Sequence, residues 1–443
     1  MKVLWICNIM LPMVAEHLGL EANNKEGWLS GLSHTILRKG RENHIELAVA
    51  FPVREPLREK KFKIPGGKDL AQLSCYSFVE DTNHPEIYDA ALEGQIAEII
   101  KDWEPDLVHC FGTEFPHTLA TLKVCAPEKV LIGIQGICKY CADVYMADLP
   151  EKVVNRVTFR DFIRKDSLSQ QKEKFEKRSR TEEESLKLAA HVTGRTRMDE
   201  QYTKSCNPQI TYHFMNETLR SNYYDTQWEL SECEKYSILI GQGDYPLKGL
   251  HYAIKALPMI LRQYPEAKLY VAGNPIVRNK NWKGKLKISS YGKYIMDLLE
   301  QYQLEENVIF LGRLSSEQMK QRYLKSNVFI CASAIENSSN ALGEAMLLGM
   351  PCVTTLVGGL PSIFCDGKDG IGYPGYGDQV YAGEKNPEQT QACKLAEAVC
   401  RMWADEEKMC TYGKEARAHA QEIHNPYGNY QRLIEIYKEI TRK

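Results

Sequence analysis

The chain has 443 residues, too many for one ordinary hydrophobic core, so two domains of about 200 residues each are expected. A hydrophobic share of 43% and a charged share of 26% are those of a globular protein, and a net charge of −2 excludes a whole-molecule basic field that would draw it to nucleic acid. Fourteen cysteines with no secretory leader predict a reducing, cytoplasmic setting rather than a disulfide framework, and no apolar run approaches the ~20 residues of a membrane span.

The opening run Met1–Met10 is broken by Asn8 and lacks a small-residue cleavage site before the charged stretch from Glu16 to Glu26, so it reads as a first β-strand. Short apolar runs then recur at Val3–Ile9, His44–Phe51, Leu107–Phe111, Val130–Ile134 and Ala190–Gly194. The scheme repeats at Ser237–Gly241, Ala267–Ala272, Val308–Leu311, Val328–Ala332 and Cys352–Thr355. Continuous runs of this kind suit strands buried on both faces, as in parallel α/β sheets. Amphipathic segments such as Gly249–Tyr264 and Ser316–Lys325 supply helices between them. Between the halves, Cys206–Glu234 reads as a connector that Tyr223, Tyr224 and Trp228 pack against one domain.

Three stretches in the first half carry candidate chemistry of lower specificity. The pair Cys138–Cys141 lacks the second pair of a zinc ribbon and reads as structural thiols. Glu80-Asp81-Thr82-Asn83 reads as a turn, and His109 and His117 flank a strand end, Cys110–Glu114, where an acceptor could bind. Residues 151–180 hold ten Lys/Arg against five Asp/Glu. That stretch is either a solvated helix laced with i,i+4 charge pairs or a basic face, with Phe159, Phe162 and Phe175, that rests on an anionic membrane.

The most informative segment runs from Val328 to Pro351: a buried strand, a polar loop bearing Glu336, then a helix beginning near Asn340 with Glu344 one turn inside. Ser338, Ser339 and Asn340 are N-cap residue types at a helix start, where unpaired backbone N–H groups attract phosphate. Two carboxylates beside it can hold sugar hydroxyls. The second segment, Tyr236–Leu250, is strand, glycine turn and helix start. Gly241 and Gly243 let backbone approach a ligand, and Lys248, followed by Gly249, places a point charge where a diphosphate would lie.

These segments resemble the retaining, metal-independent family-4 glycosyltransferases, especially bacterial enzymes that build surface and capsular polysaccharides. The resemblance spans almost the whole chain. It rests on Glu336 and Glu344, the Gly349–Pro351 turn, Gly312-Arg313, Val357-Gly358-Gly359, His191–Arg197 and Gly27 before the first helix. It implies a GT-B fold, α/β, with two Rossmann-like doubly wound domains facing a cleft. The expected boundaries are an acceptor domain 1–205, a connector 206–229, a nucleotide-sugar domain 230–415 and a helix 416–443 crossing back. It further implies that Glu336 lies near the transferred sugar, that Glu344 holds the ribose and that Lys248 neutralises the leaving diphosphate. Backbone near Arg313 would meet the base, N–H groups at Ser339, Asn340, Ala341 and Leu342 would meet sugar or phosphate, and Gly27 would face the donor phosphates.

Two departures from the family pattern stand out: Gln242 where relatives carry Arg, and Gln135 where many carry His. Arg195 is a candidate to replace the lost cation, and Gln135 can still hydrogen-bond a sugar hydroxyl. The reading is a retaining hexosyltransferase needing no metal or cofactor. Its partners would be a nucleotide-diphosphate sugar and a glycan or lipid-linked acceptor in polysaccharide synthesis, in the cytoplasm or at the inner membrane face. A non-catalytic nucleotide-sugar-binding relative and a nucleotide-sugar epimerase of the same fold remain as alternatives.

Overall fold

A computed structural model describes residues 1–20, 27–40, 42–68, 70–277, 282–375 and 387–442. The chain divides into two compact units: Met1–Lys139 with Phe175–Arg220 and Ile423–Lys443, and Tyr140–Lys174 with Ser221–Glu422.

The first unit is built on an eight-stranded sheet of β1 (Lys2–Ile6), β2 (Glu46–Val53), β3 (Lys61–Ile64), β4 (Leu73–Val79), β5 (Leu107–Phe111), β6 (Val130–Gly133), β7 (His191–Gly194) and β8 (Thr211–Phe214). Their order is β3-β4-β2-β1-β5-β6-β7-β8, parallel except for the antiparallel β3–β4 pair. The central strands β1, β5 and β6 are almost entirely apolar and buried, because helices cover both faces. The C-terminal helix Pro426–Thr441 belongs to this unit and buries Tyr430, Leu433, Ile434, Ile436, Tyr437 and Ile440, the positions its sequence periodicity marks. It is locked polar-side as well: Trp5 Nε1 donates to the Tyr437 hydroxyl at 2.8 Å, and that hydroxyl lies 2.7 Å from His109 Nδ1.

The second unit carries a parallel six-stranded sheet of β9 (Ser237–Ile240), β10 (Lys268–Ala272), β11 (Val308–Gly312), β12 (Val328–Cys331), β13 (Cys352–Thr355) and β14 (Gly370–Tyr373). Its order is β11-β10-β9-β12-β13-β14. The chain works outward from β9 to β11 and then returns to lay β12 on the other side of β9, so the topological switch point lies between β9 and β12.

The unit boundaries depart from the expected ones in three places, one of them the expected crossing helix 416–443: residues up to Glu422 belong to the second unit, on the helix Glu406–Ile423, and the first unit takes the separate helix Pro426–Thr441. Residues 140–174 group with the second unit, because long-range polar contacts tie them there. The Tyr252 hydroxyl donates to Ala147 O at 2.8 Å, Ser290 N to Asp161 Oδ2 at 2.8 Å and Thr158 Oγ1 to Ile288 O at 2.7 Å. The expected connector is also divided. Its first part forms edge strand β8 of the first unit, whereas Tyr223 and Trp228 are buried in the second unit, where Trp228 Nε1 donates to Ser326 O at 2.8 Å.

Candidate functional site

In the second unit the candidate residues converge on the carboxyl ends of the strands flanking the switch point. After β9 the chain turns through Gln242, Gly243 and Asp244 into a short 3-10 turn, Pro246–Lys248, and then the helix Leu250–Leu261. Gly249 joins them at φ +70°, and a Cβ there would collide with Ala332 O at the end of β12. Only glycine permits both the left-handed backbone and this approach. The neighbouring backbones are stitched by Ala334 N donating to Leu247 O at 2.8 Å.

That close packing delivers Lys248 to Glu336. Lys248 Nζ lies 2.5 Å from Glu336 Oε1, and Ser333 Oγ donates to the same oxygen at 2.8 Å. Their side chains are 21% and 12% exposed. Burial alone would push the Lys248 ammonium down, but the Glu336 carboxylate outweighs it and holds the ammonium above its usual range. The loop is fixed from the other side by Gly359 N donating to Glu336 O at 2.9 Å.

Beside this pair begins the helix Asn340–Leu348, capped by Ser339, whose hydroxyl accepts from Leu342 N at 3.3 Å. Its first amides point out of the helix start, the positive end of its dipole. Glu344 is buried, one turn in. Gly241 brings β9 against this helix, since a Cβ there would sit 3.3 Å from Ala341 Cβ.

A third feature was not singled out in the sequence. Arg313 Nε donates to Asn274 Oδ1 at 2.5 Å, and Asn274 Nδ2 donates to Asp244 Oδ2 at 2.5 Å. This chain of side chains links the ends of β11, β10 and β9. Its signal was Gly273-Asn274 at the end of β10, where Gly273 adopts φ +108°.

The first unit places its candidates on its own carboxyl-end rim. Gln135 follows β6, and the backbone around it is held by two carboxylates. Gly136 N donates to Glu114 Oε1 at 2.6 Å, while Cys138 N and Lys139 N donate to Glu182 at 3.1 and 3.3 Å. Glu182 is fully buried and also accepts from Thr113 Oγ1 at 2.8 Å and the Tyr202 hydroxyl at 3.0 Å. Burial pushes its carboxyl up to about 7, against the downward pull of the bonds from Thr113 and Cys138 N.

Gly27 starts the helix Gly27–Lys39, and a Cβ there would strike the Arg220 side chain; residues 21–26 before it lie outside the described residues. Arg195 is committed inside the unit: it is buried, donates to Ile134 O at 2.9 Å and pairs with Glu217 at 3.1 Å. The histidines flanking Cys110–Glu114 are both buried. His117 Nδ1 pairs with Glu80 Oε2 at 2.8 Å, and Glu80–Asn83 is a turn, with Thr82 N donating to Glu80 O at 3.1 Å and Asn83 N to Asp81 Oδ1 at 3.0 Å. Cys138 and Cys141 are not disulfide-bonded. Among the described residues, no group of three or more His, Cys, Asp or Glu is placed to hold a metal ion, and no helix is long and apolar enough to cross a membrane.

Residues 224–386 match the family described as Glycosyl transferases group 1. An uncharacterized glycosyltransferase of Methanocaldococcus jannaschii is 32% identical over 155 residues, 35% of this chain and 36% of that protein. The first curated relatives are matched over 36–46% of their own length, less than half. Among solved structures, sucrose-phosphate synthase of Thermosynechococcus elongatus superposes with a TM-score of 0.67 at 14% identity, over 99% of both chains. HepE of Anabaena, solved with UDP-glucose, gives a TM-score of 0.62 at 14% identity over 99% of this chain and 100% of its own. The fold is GT-B, and the group 1 match falls on the unit that carries Lys248, Glu336 and Glu344.

Proposed function

We propose that the chain is a retaining glycosyltransferase that moves a sugar from a nucleoside-diphosphate sugar to a glycan or lipid-linked acceptor in polysaccharide synthesis. The observation that carries this reading is the Lys248–Glu336 pair set beside the capped start of the helix Asn340–Leu348, at the switch point of the second unit's sheet. An anionic diphosphate suits the helix start and the ammonium, and Glu336 suits the hydroxyls of the sugar being moved. Glu344 would hold the ribose, and backbone at Gly312-Arg313 would meet the base. The group 1 match and the UDP-glucose bound by HepE support a nucleotide-sugar donor.

In the proposed step the bond between the sugar's anomeric carbon and the diphosphate oxygen breaks, and the acceptor oxygen bonds to that carbon on the same face. The departing phosphate oxygen takes the acceptor's proton. Lys248 and the helix amides stabilise the negative charge that grows on the leaving group, so catalysis is positioning plus electrostatics without a metal. Gln135 and the first unit would serve the acceptor side. One observation favours a non-catalytic binder instead: Arg195, the candidate to replace the cation missing at Gln242, is buried on Glu217 and Ile134.

The test is donor consumption across a panel of nucleotide sugars, with and without glycan and lipid-linked acceptors, in the presence of EDTA. Acceptor-dependent transfer with the anomeric configuration kept, unaffected by EDTA, is expected. Donor binding without turnover across the panel would leave the binder reading, and donor conversion without acceptor would leave the epimerase.

A further inference from the structure

Ten large hydrophobic side chains are exposed among the described residues, and four of them fall within seven positions: Val157, Phe159, Phe162 and Ile163, between 58% and 72% exposed. A fifth, Leu286, lies on the helix Trp282–Lys287, which packs beside the helix Phe159–Arg164. All five belong to the second unit.

The segment is held with its polar side inward. Thr158 and Asp161 form a capping box, Asp161 is buried and accepts from Ser290 N and from Arg160 Nη1, and Thr158 Oγ1 reaches Ile288 O. With the polar anchors fixed against residues 288–290, the apolar side chains are turned to solvent. This inverts the usual arrangement of a surface helix, and contiguous exposed apolar surface of this kind marks an interaction site.

The surrounding charge selects the occupant. Arg164, Lys165 and Lys287 are exposed and form no salt bridge among the described residues, while Asp161 is buried and Asp166 is paired with Arg160; Lys152 is offset by the exposed Glu151 beside it. A second copy docked through the same patch would bring these cations against themselves across a twofold axis. An anionic bilayer accepts both parts: the apolar side chains enter the boundary below the headgroups, and the cations meet lipid phosphates. Phe175, by contrast, is half-buried under the Arg178 guanidinium and takes no part.

We propose that Val157–Ile163 with Leu286, flanked by Arg164, Lys165 and Lys287, is a docking surface for an anionic lipid bilayer. The inference stands apart from sugar transfer, so nucleotide binding reports on that reading separately. Full-length protein is sedimented with phosphatidylcholine vesicles and with vesicles containing about one third phosphatidylglycerol. Binding to the anionic vesicles alone is expected, weakening with salt. Phe159→Ser/Phe162→Ser and Arg164→Glu/Lys165→Glu are each expected to weaken it by about tenfold or more, with unchanged unfolding midpoints and UDP-sugar binding. Equal binding to both vesicle types, no binding to either, or a dimer in solution that Phe159→Ser/Phe162→Ser disperses would each overturn the proposal.

Discussion

Lys248 and Glu336 lie 88 residues apart in sequence, yet their charged atoms meet at 2.5 Å, with Ser333 on the same carboxylate oxygen. Each is the other's main electrostatic partner in a half-dry setting, so removing one leaves an uncompensated charge. Lys248→Met and Glu336→Gln are each expected to cost about 1–3 kcal/mol of stability. The double variant should recover part of that sum, as coupled neighbours do. Urea unfolding of the four proteins measures the coupling, and strict additivity would remove the pair from the argument.

Glu336 and Glu344 separate by role. Glu336 is assigned to the reacting sugar, so Glu336→Gln should lower kcat far more than donor affinity. Glu344 is buried in the helix behind it and is assigned to the ribose, so Glu344→Gln should weaken donor binding by about 1–3 kcal/mol with a smaller effect on kcat. Calorimetric donor titration beside steady-state kinetics reads both. The reverse pattern would reassign the carboxylates.

Gly249 and Gly367 offer a controlled comparison, since both have positive φ, at +70° and +76°. A Cβ at Gly249 meets Ala332 O, whereas one at Gly367 meets nothing within 4 Å. Gly367→Ala should therefore cost only the left-handed backbone term, about 1–2 kcal/mol. Gly249→Ala adds a backbone collision and shifts Lys248 from Glu336, so it should cost more and abolish transfer. Similar losses in the two variants, by thermal unfolding and activity, would refute the close-approach argument.

The strands legible in the sequence are those with short runs of Val, Ile, Leu and Phe, which is why β6, β9 and β12 fall within their expected bounds. β4, with Ser74, Cys75, Tyr76 and Ser77, and β8, with Thr211, Tyr212 and His213, lack that signature and escaped notice. The Glu336–Glu344 segment was legible because strand, loop and cap residues lie consecutively. The membership of 140–174 was not: its helices Glu151–Val154 and Phe159–Arg164 have four and six residues, and what places them is Asp161 meeting Ser290, 129 positions away. The ion pair itself is also hidden in the sequence, since 88 positions separate its members.

Two buried groups pull stability in opposite directions with pH. His109 is held down at about 3 by burial, below its ordinary value of 6.5. Trp5 Nε1 can only donate, so the Tyr437 hydroxyl accepts from it and donates to His109 Nδ1, which keeps the ring neutral. Unfolding lets this histidine take up a proton, so its contribution is lost as pH falls from 6.5 toward 3. Glu182, raised by burial to about 7 from 4.5, binds a proton more readily when folded, so its contribution is lost as pH rises through that window. Between 4.5 and 6.5 the two slopes oppose. Glu182→Gln should remove one of them and make stability fall more steeply with acid than in the parent. Thermal midpoints from pH 4.5 to 7.5 test this, and parallel curves would show that Glu182 does not titrate there.

Gln135 decides how the first unit tolerates charge. A Cβ built on Gly112 would lie 3.7 Å from Gln135 Cγ and would strike the Glu114 carboxylate, so the two side chains flank the same glycine. Glu114 is already anchored through Gly136 N, and its Oε2 is buried with no hydrogen-bond partner. Gln135→Glu would set a second carboxylate beside it, and like charges this near in a partly dry setting repel strongly. The cost should appear above neutral pH and shrink in acid, where one of the pair takes up a proton. Gln135→Ala adds no charge, so its stability relative to the parent should not depend on pH. In transfer, Gln135→Ala should reduce the rate by losing a hydrogen bond to the acceptor side, and Gln135→Glu should reduce it further at pH 8 than at pH 5.5. Paired melts and rates at about these two pH values separate the effects. If Gln135→Glu proves no less stable than Gln135→Ala at the higher pH, Glu114 is not its electrostatic neighbour. If neither variant changes a measured transfer rate, Gln135 has no part in the acceptor side.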